Sequence, residues 1–273
     1  MLALGRTVSC RTAPLGAVLA TFVLVGGPAL AASYDAGMFA FTQGDYATAL
    51  AEFLPLAEDD HTAAQTALGF MYANGLGVTQ DRRAAATWFR EAARHGNSAA
   101  ANFLGSAYKA GAGVPRDYRE AIKWYRKAAR SDLAEAQLNL AIMFDQGLGT
   151  PPNGAKAAPW YAHAAEQGLA GTLYGLAMLY EEGRGVAPDP VQAAVLLERA
   201  AARGNADARF ALGRKFLSGS GVKADPRQAY MWFALAESLG HAAGAEAIAS
   251  LTGELTSAEL DEARRMARAW RPF

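Results

Sequence analysis

The stretch that decides the fold is residues 64–99, AQTALGFMYANGLGVTQDRRAAATWFREAARHGNSA. Steps of 36 residues from its landmark positions reach the same or a similar residue four more times. One leucine, two glycine and one tryptophan column keep this register: Leu68, Leu104, Leu140, Leu176 and Leu212; Gly75, Gly111, Gly147, Gly183 and Gly219; Gly77, Gly113, Gly149, Gly185 and Gly221; Trp88, Trp124, Trp160, Leu196 and Trp232. A fixed period of about 20–50 residues is typical of solenoids, in which each unit buries its apolar face against its neighbours.

Each unit has the pattern of a helical hairpin. Leu68, Met71 and Tyr72 lie on one face of a first helix. Gly75 follows that helix and is the residue type that adopts a left-handed conformation just past a helix end. A short polar residue then predicts the N-cap of the second helix in every unit: Asp81, Asp117, Asn153, Asp189 and Asp225. A column of small residues in the first helices predicts close packing within the hairpin: Gly69, Gly105, Ala141, Ala177 and Gly213.

These columns resemble the Sel-1-like repeat, a relative of the tetratricopeptide repeat. The matching motifs are L-G-x-x-Y, G-x-G-V and W-[FY]-x-x-A-A, at Leu68, Gly69 and Tyr72, at Gly75, Gly77 and Val78, and at Trp88, Phe89, Ala92 and Ala93. The resemblance covers residues 63–242 as five repeats. It implies an all-α fold, a right-handed superhelical solenoid of stacked antiparallel helical hairpins, and a scaffold that holds protein partners.

Less regular segments flank the repeats. Residues 32–62 predict an N-terminal capping hairpin of the tetratricopeptide type, with Pro55 kinking its second helix near the end. Residues 243–273 predict C-terminal capping helices, the last one opened by a capping box at Thr256 and running to about Trp270. In the third repeat, Pro159 predicts either a second helix that starts late or one that is kinked.

The first 31 residues have the features of a secretory signal. Arg6 and Arg11 give a positive start, an uncharged apolar run covers residues 14–25, and a small-x-small pattern ends at Ala31. The apolar run is shorter than the roughly 20 residues of a membrane span. We therefore predict a signal peptide at residues 1–31 and a periplasmic or secreted protein, with a retained N-terminal anchor as the alternative.

Removal of that signal leaves a chain with modest charge and no thiol. Cys10 is the only cysteine and leaves with the signal, while 24 basic and 26 acidic residues remain, a net charge of −2. The sequence offers no Lys/Arg run interleaved with aromatics, so nucleic acid is not an expected partner. A second apolar segment able to span a membrane is also absent from the sequence.

The sequence suggests no catalytic residue, metal site or cofactor. His61 and His241 share a turn column with Asn97 and Asn205, which favours a polar role in the turns between repeats. His163 and Glu166 are three residues apart on one helix, but a third ligand is not recognisable. The Gly-x-Gly pairs follow helices without a Lys-Ser/Thr behind them, which favours helix C-caps over phosphate loops.

The sequence does predict a groove for a protein partner. In solenoids of the tetratricopeptide kind, the first helices line the concave surface, and side chains that point outward there vary between repeats. In repeats three to five these positions carry the predicted groove, namely Leu138, Ile142, Tyr174, Met178, Phe210 and Arg214, with Asp145 and Glu181 beside them. We expect Tyr174 and Phe210 to lie at its centre. The alternative is that these side chains pack between successive first helices.

The leading functional hypothesis is a non-enzymatic, monomeric adaptor or regulator that binds another protein or peptide of the bacterial envelope. A second hypothesis is a hydrolase acting on cell-wall or β-lactam substrates, an activity ascribed to cysteine-rich relatives. Those relatives depend on disulfide-paired cysteines, which the mature chain lacks. A third hypothesis is that the protein is a purely structural spacer.

Overall fold

The protein was analysed as a computed structural model that describes residues 32–271; the predicted signal peptide and Cys10 lie outside the described residues. Between residues 32 and 271 the regular structure is entirely helical, without strands. Fourteen helices follow one another in this range: α1 (Tyr34–Thr42), α2 (Tyr46–Glu58), α3 (Thr62–Asn74), α4 (Arg82–Arg94), α5 (Ser98–Ala110), α6 (Tyr118–Ala129), α7 (Ala134–Gln146), α8 (Gly154–Glu166), α9 (Ala170–Glu182), α10 (Pro190–Ala202), α11 (Ala206–Ser218), α12 (Pro226–Glu237), α13 (Gly244–Thr252) and α14 (Ser257–Ala269).

The helices pack in chain order. Each helix from α1 to α12 contacts the next one, most extensively within the hairpins α3/α4, α5/α6, α7/α8, α9/α10 and α11/α12. The hairpin α1/α2 precedes these five units, and α13 and α14 both pack against α12. The prediction of an all-α solenoid of helical hairpins is therefore confirmed. None of the helices in residues 32–271 is long and apolar enough to cross a membrane.

In each repeat, caps fix the C-terminus of the first helix and the N-terminus of the second helix, as the sequence predicts. Asp81 precedes α4, and its Oδ1 accepts hydrogen bonds from the amides of Arg83 and Ala84 at 2.8 and 3.0 Å. The polar residues before α6, α8, α10 and α12 accept amide hydrogen bonds in the same way. Gly75 ends α3 in the left-handed conformation, with φ +70°. At the C-terminus, Thr256 forms the predicted capping box with Glu259.

The second glycine of each loop joins neighbouring hairpins. Gly113 has φ +75°, and a Cβ built on it would lie 1.9 Å from the carbonyl oxygen of Arg82 in the first turn of α4. The equivalent glycines approach the start of the second helix of the preceding hairpin, at Tyr46, Tyr118, Ala155 and Pro190. Only a residue without a side chain allows this approach at a positive φ. The repeat spacing therefore depends on backbone contact as well as on side-chain packing.

The core is built from alanines and aromatic rings. A Cβ on Gly69 would lie 2.5 Å from the Phe89 ring, which explains the small-residue column. The aromatic or leucine side chain of the second helix is buried in every repeat: Phe89, Tyr125, Tyr161, Leu197 and Phe233. Small residues on one helix therefore admit large rings from the other.

Two prolines, Pro55 and Pro159, lie in the interior of second helices that continue past them. Helix α8 begins at Gly154, so Pro159 is in its second turn, and the alternative of a late start is wrong. Asn153 caps this earlier start by accepting a hydrogen bond from the amide of Lys156 at 2.9 Å. Pro55 lies three residues before the end of α2.

Candidate functional site

The predicted groove lies on three first helices that are equivalent in successive repeats. Its six residues come in pairs from α7, α9 and α11: Leu138 and Ile142, Tyr174 and Met178, Phe210 and Arg214. The five apolar side chains are half-buried, and Arg214 is exposed. The surface thus combines accessible apolar area with packing against the core, which four of these side chains contact.

The Phe210 ring packs against two other rings. Its ring stacks on His241 with the centroids 4.2 Å apart, and it lies 5.1 Å from the ring of Phe233. His241 lies in the turn between α12 and α13, and its Nε2 atom is 3.6 Å from Oδ1 of Asp207 at the start of α11. His241 therefore supports the Phe210 ring from the polar turn in which the sequence places it.

Tyr174 lies in a desolvated and acidic setting. Burial raises the pKa of its hydroxyl, and the carboxylates of Asp207 and Glu182 raise that pKa further. The phenol therefore stays protonated at neutral pH and is available as a hydrogen-bond donor.

A cavity of about 320 Å³ lies beside the predicted groove, between α9 and α11. Met178 and Arg214 line it, together with Glu181, Glu182 and Lys215. Its volume lies at the lower end of the roughly 300–1,000 Å³ found for ligand pockets. The cavity is therefore large enough to admit a single side chain of a partner.

Lys215 is a buried cation in a column that is otherwise apolar. Its side chain pairs with Glu181 and donates hydrogen bonds to the carbonyl oxygens of Pro190 and Ser220 at 3.2 and 3.1 Å. The equivalent residues of the other repeats are Met71, Ala107, Met143 and Leu179. The lysine thus ties repeat four to repeat five.

The second acidic residue beside the groove is also neutralised by the following repeat. Asp145 forms an ion pair with Arg184, and the hydroxyl of Tyr161 lies 3.5 Å from its Oδ2. Burial and the nearby Asp145 carboxylate raise the pKa of Tyr161. Asp145 and Glu181 therefore form ion pairs between neighbouring repeats. Among the groove residues, Arg214 carries the charge that is exposed to solvent.

A second apolar surface, which the sequence analysis does not predict, lies at the other end of the solenoid. Phe70 on α3 and Phe103 on α5 are 38% and 37% exposed, and their ring centroids are 6.2 Å apart. Phe103 lies one position away from the columns used to predict the groove. Its equivalents in the other repeats are small or polar: Ala67, Asn139, Gly175 and Ala211. An aromatic residue in such a column is the sequence signal that points to this surface.

The histidines outside the groove have structural contacts. His61 is the N-cap of α3 and accepts a hydrogen bond from the amide of Ala64 through Nδ1 at 3.1 Å. His163 Nδ1 lies 4.0 Å from Oε2 of Glu166. Within residues 32–271, no three His, Cys, Asp or Glu side chains cluster as metal ligands.

Comparison with known proteins agrees with the repeat register. The profile of the family described as Sel1 repeat matches residues 62–97, 98–133, 134–169, 171–205 and 206–241. The chain belongs to the Sel1 repeat family. This match confirms the resemblance seen in the sequence. Proteins of this family are generally protein-interaction scaffolds.

Solved structures of Sel1 repeat proteins resemble the chain. The Sel1 repeat protein from Oxalobacter formigenes is 28% identical, with a TM-score of 0.77 over 86% of this chain and 99% of that one. The protective antigen c5321 of uropathogenic Escherichia coli is 25% identical over 86% of this chain and 67% of that one, with a TM-score of 0.37. A search of curated protein sequences found no significant match.

Proposed function

We propose that this Sel1 repeat protein is exported by the signal at residues 1–31 and acts as an adaptor or regulator in the bacterial cell envelope. Its partner is another protein or peptide, and one chain supplies the whole binding surface. Two facts support the proposal: the family consists generally of protein-interaction scaffolds, and the first 31 residues have the charge and apolar pattern of a signal.

The observation that carries the proposed site is the half-buried apolar surface of the predicted groove. Its apolar side chains differ from repeat to repeat, although the core columns beside them are kept. A buried packing role alone would favour similar residues in equivalent positions, as in the leucine column. Exposed apolar patches mark interaction sites, and aromatic anchors such as Tyr174 contribute about 2 kcal/mol or more when truncated.

The charge of the groove indicates which kind of partner segment it binds. Because Asp145 and Glu181 are paired with cations of the following repeats, Arg214 is the charge that the groove offers to a partner. The matching partner segment is apolar with a carboxylate near Arg214, since a guanidinium binds carboxylates through two parallel hydrogen bonds. This function requires no catalytic residue, metal or cofactor.

The test is capture of partners from an envelope extract with the exported protein as bait. The test variant is Tyr174→Ala combined with Arg214→Ala, because neither side chain has the ring stacking that Phe210 has. Phe39→Ala combined with Val191→Ala is the matched control, since both residues are exposed apolar side chains outside the groove. We expect a discrete protein captured by wild type and control but lost with the test variant.

Two outcomes would contradict the proposal. Equal capture by the test variant and the control would remove the groove as the site, and no capture by any form would favour a structural spacer. Export is tested separately by mass spectrometry of the mature protein from the producing cells. We expect it to begin at Ala32, and a chain that retains residues 1–31 would overturn the signal assignment.

A further inference from the structure

Three phenylalanines form a row across the first helices at the N-terminal end of the solenoid. Phe41 on α1, Phe70 on α3 and Phe103 on α5 form this aromatic row, with successive ring centroids 6.1 and 6.2 Å apart. Phe103 also stacks on the buried ring of Phe89 at 5.0 Å. Packing therefore holds the row in place, while Phe70 and Phe103 keep more than a third of their surface exposed.

A cavity lies on either side of Phe70 and Phe103, which line both. One has a volume of about 350 Å³, and Ala85, Ala86 and Phe89 also line it. The other, of about 310 Å³, is lined by Tyr34, Met38 and Phe41. Both volumes fall within the range of ligand pockets, and both linings are predominantly apolar. Each cavity fits a large apolar side chain better than a charged group.

The larger cavity also contains an available cation. Arg82, the first residue of α4, lines it and is exposed. Within the described part of the chain, the Arg82 side chain makes no ion pair or hydrogen bond. The N-terminus of a helix adds positive potential at this point. A carboxylate next to an apolar anchor in the cavity would therefore lie close to both the Arg82 guanidinium and the N-terminus of α4.

The surrounding repeats are basic as a whole. Residues 62–133, which form the first two repeats, contain eleven Lys and Arg against five Asp and Glu, a net charge of +6. Residues 134–205 of the next two repeats have a net charge of −3. The capping hairpin that carries Phe41, residues 32–61, has six Asp and Glu and no Lys or Arg. The positive charge therefore lies on the two repeats that line the larger cavity, and an acidic partner would be attracted to that cavity.

We propose that the aromatic row and Arg82 form a binding site for an acidic peptide segment carrying one large apolar side chain. The apolar side chain enters the larger cavity, which Phe70, Phe89 and Phe103 line, and a neighbouring carboxylate binds the Arg82 guanidinium. A concave, predominantly apolar cavity of this volume favours a single inserted side chain over a flat anionic lipid surface. The site shares no residue with the predicted groove, so the chain presents two separate surfaces to partners.

The proposal is tested with a fluorescein-labelled peptide that carries one phenylalanine between pairs of glutamates, measured by fluorescence anisotropy. We expect saturable binding to the wild-type protein that weakens as salt rises, because the ion pair is exposed. A peptide with alanine in place of phenylalanine, and one with lysines in place of the glutamates, should each bind at least about tenfold more weakly. Absence of binding at about 1 mM protein would overturn the proposal.

Protein variants locate the site. Phe70→Ala and Arg82→Gln should raise the dissociation constant about tenfold and about three- to tenfold, respectively. The matched controls are Phe39→Ala, an exposed phenylalanine on α1 outside both cavity linings, and Arg83→Gln, the neighbouring arginine. Arg82→Gln removes only an exposed charge, so its effect is independent of folding, and circular dichroism verifies that Phe70→Ala keeps the helical fold.

Three results would overturn the assignment. Controls that weaken binding as much as Phe70→Ala and Arg82→Gln would show non-specific attraction. Loss of peptide binding in the Tyr174→Ala, Arg214→Ala variant alone would move the peptide to the predicted groove. Binding to phosphatidylglycerol vesicles in preference to the peptide, with loss in Arg82→Gln, would identify a lipid surface as the occupant. Because the capture experiment on the groove uses other residues, its failure would leave this test unaffected.

Discussion

Gly113→Ala tests the claim that neighbouring repeats meet through their backbones. The added Cβ would lie 1.9 Å from the Arg82 carbonyl oxygen and 2.2 Å from its carbon, far inside van der Waals contact. Backbone atoms cannot rotate away as a side chain does, so the loop of repeat two must move from the start of α4. Gly204→Ala is the matched control, because Gly204 also has a positive φ, +83°, but nothing lies within 4 Å of its added Cβ.

The magnitude follows from the difference between the two sites. A left-handed conformation costs a residue with a side chain about 1–2 kcal/mol, and both variants share this cost. Gly113→Ala adds a steric term of about 1–3 kcal/mol, the usual cost of overpacking. For a chain of this size, each kcal/mol shifts Tm by about 2–4 °C. We therefore expect Gly113→Ala to lower Tm by about 2–12 °C more than Gly204→Ala does.

Thermal and urea unfolding followed by circular dichroism at 222 nm measure this difference. A weakened interface in a linear array also broadens the transition, because the repeats on either side unfold less cooperatively. If both variants lose the same stability with equally sharp transitions, the close approach of Gly113 does not contribute to coupling between repeats.

Three further predictions concern buried polar groups. Glu181→Gln should destabilise the fold by about 1–3 kcal/mol in urea titrations, because it leaves the buried ammonium of Lys215 without its partner; adding Lys215→Met, which restores the apolar column, should recover most of that loss. Arg209→Ala should lower Tm more than Arg214→Ala on the same helix, since the Arg209 guanidinium is buried and donates to two carbonyl oxygens; an equal effect would refute a structural role. Burial raises the pKa of Tyr125 above its unfolded value, so its contribution is fully present below about pH 10 and is lost as pH rises through the folded pKa. Tyr125→Phe should therefore flatten the alkaline decline of Tm, and an unchanged decline would contradict this.

The sequence predicts the fold because its determinants are local or repeat at a fixed spacing. Gly75 and Asp81 act on the helix ends beside them, so their roles are visible without any tertiary information. The 36-residue register supplies the rest, since equivalent residues have equivalent neighbours. Pro159 is the exception, because the N-cap at Asn153 starts the helix early despite a proline in its second turn.

The candidate sites depend on contacts that a single column does not reveal. Asp145 and Glu181 look like free charges until the following repeat supplies Arg184 and Lys215. Lys215 is recognisable as unusual only when its apolar column is known to be buried. The sequence does not predict the aromatic row, because its members occupy different columns in different hairpins and meet only when the first helices stack.

Photo-crosslinking in the producing cells tests most directly whether the predicted groove binds a partner. A benzoyl-phenylalanine placed at Tyr174 is compared with one placed at Val191, which is 61% exposed on the second helix of the same repeat. The proposed function predicts a discrete protein adduct from position 174 and none from position 191. An adduct from position 191 alone, equal adducts from both positions, or none from position 174 would contradict it.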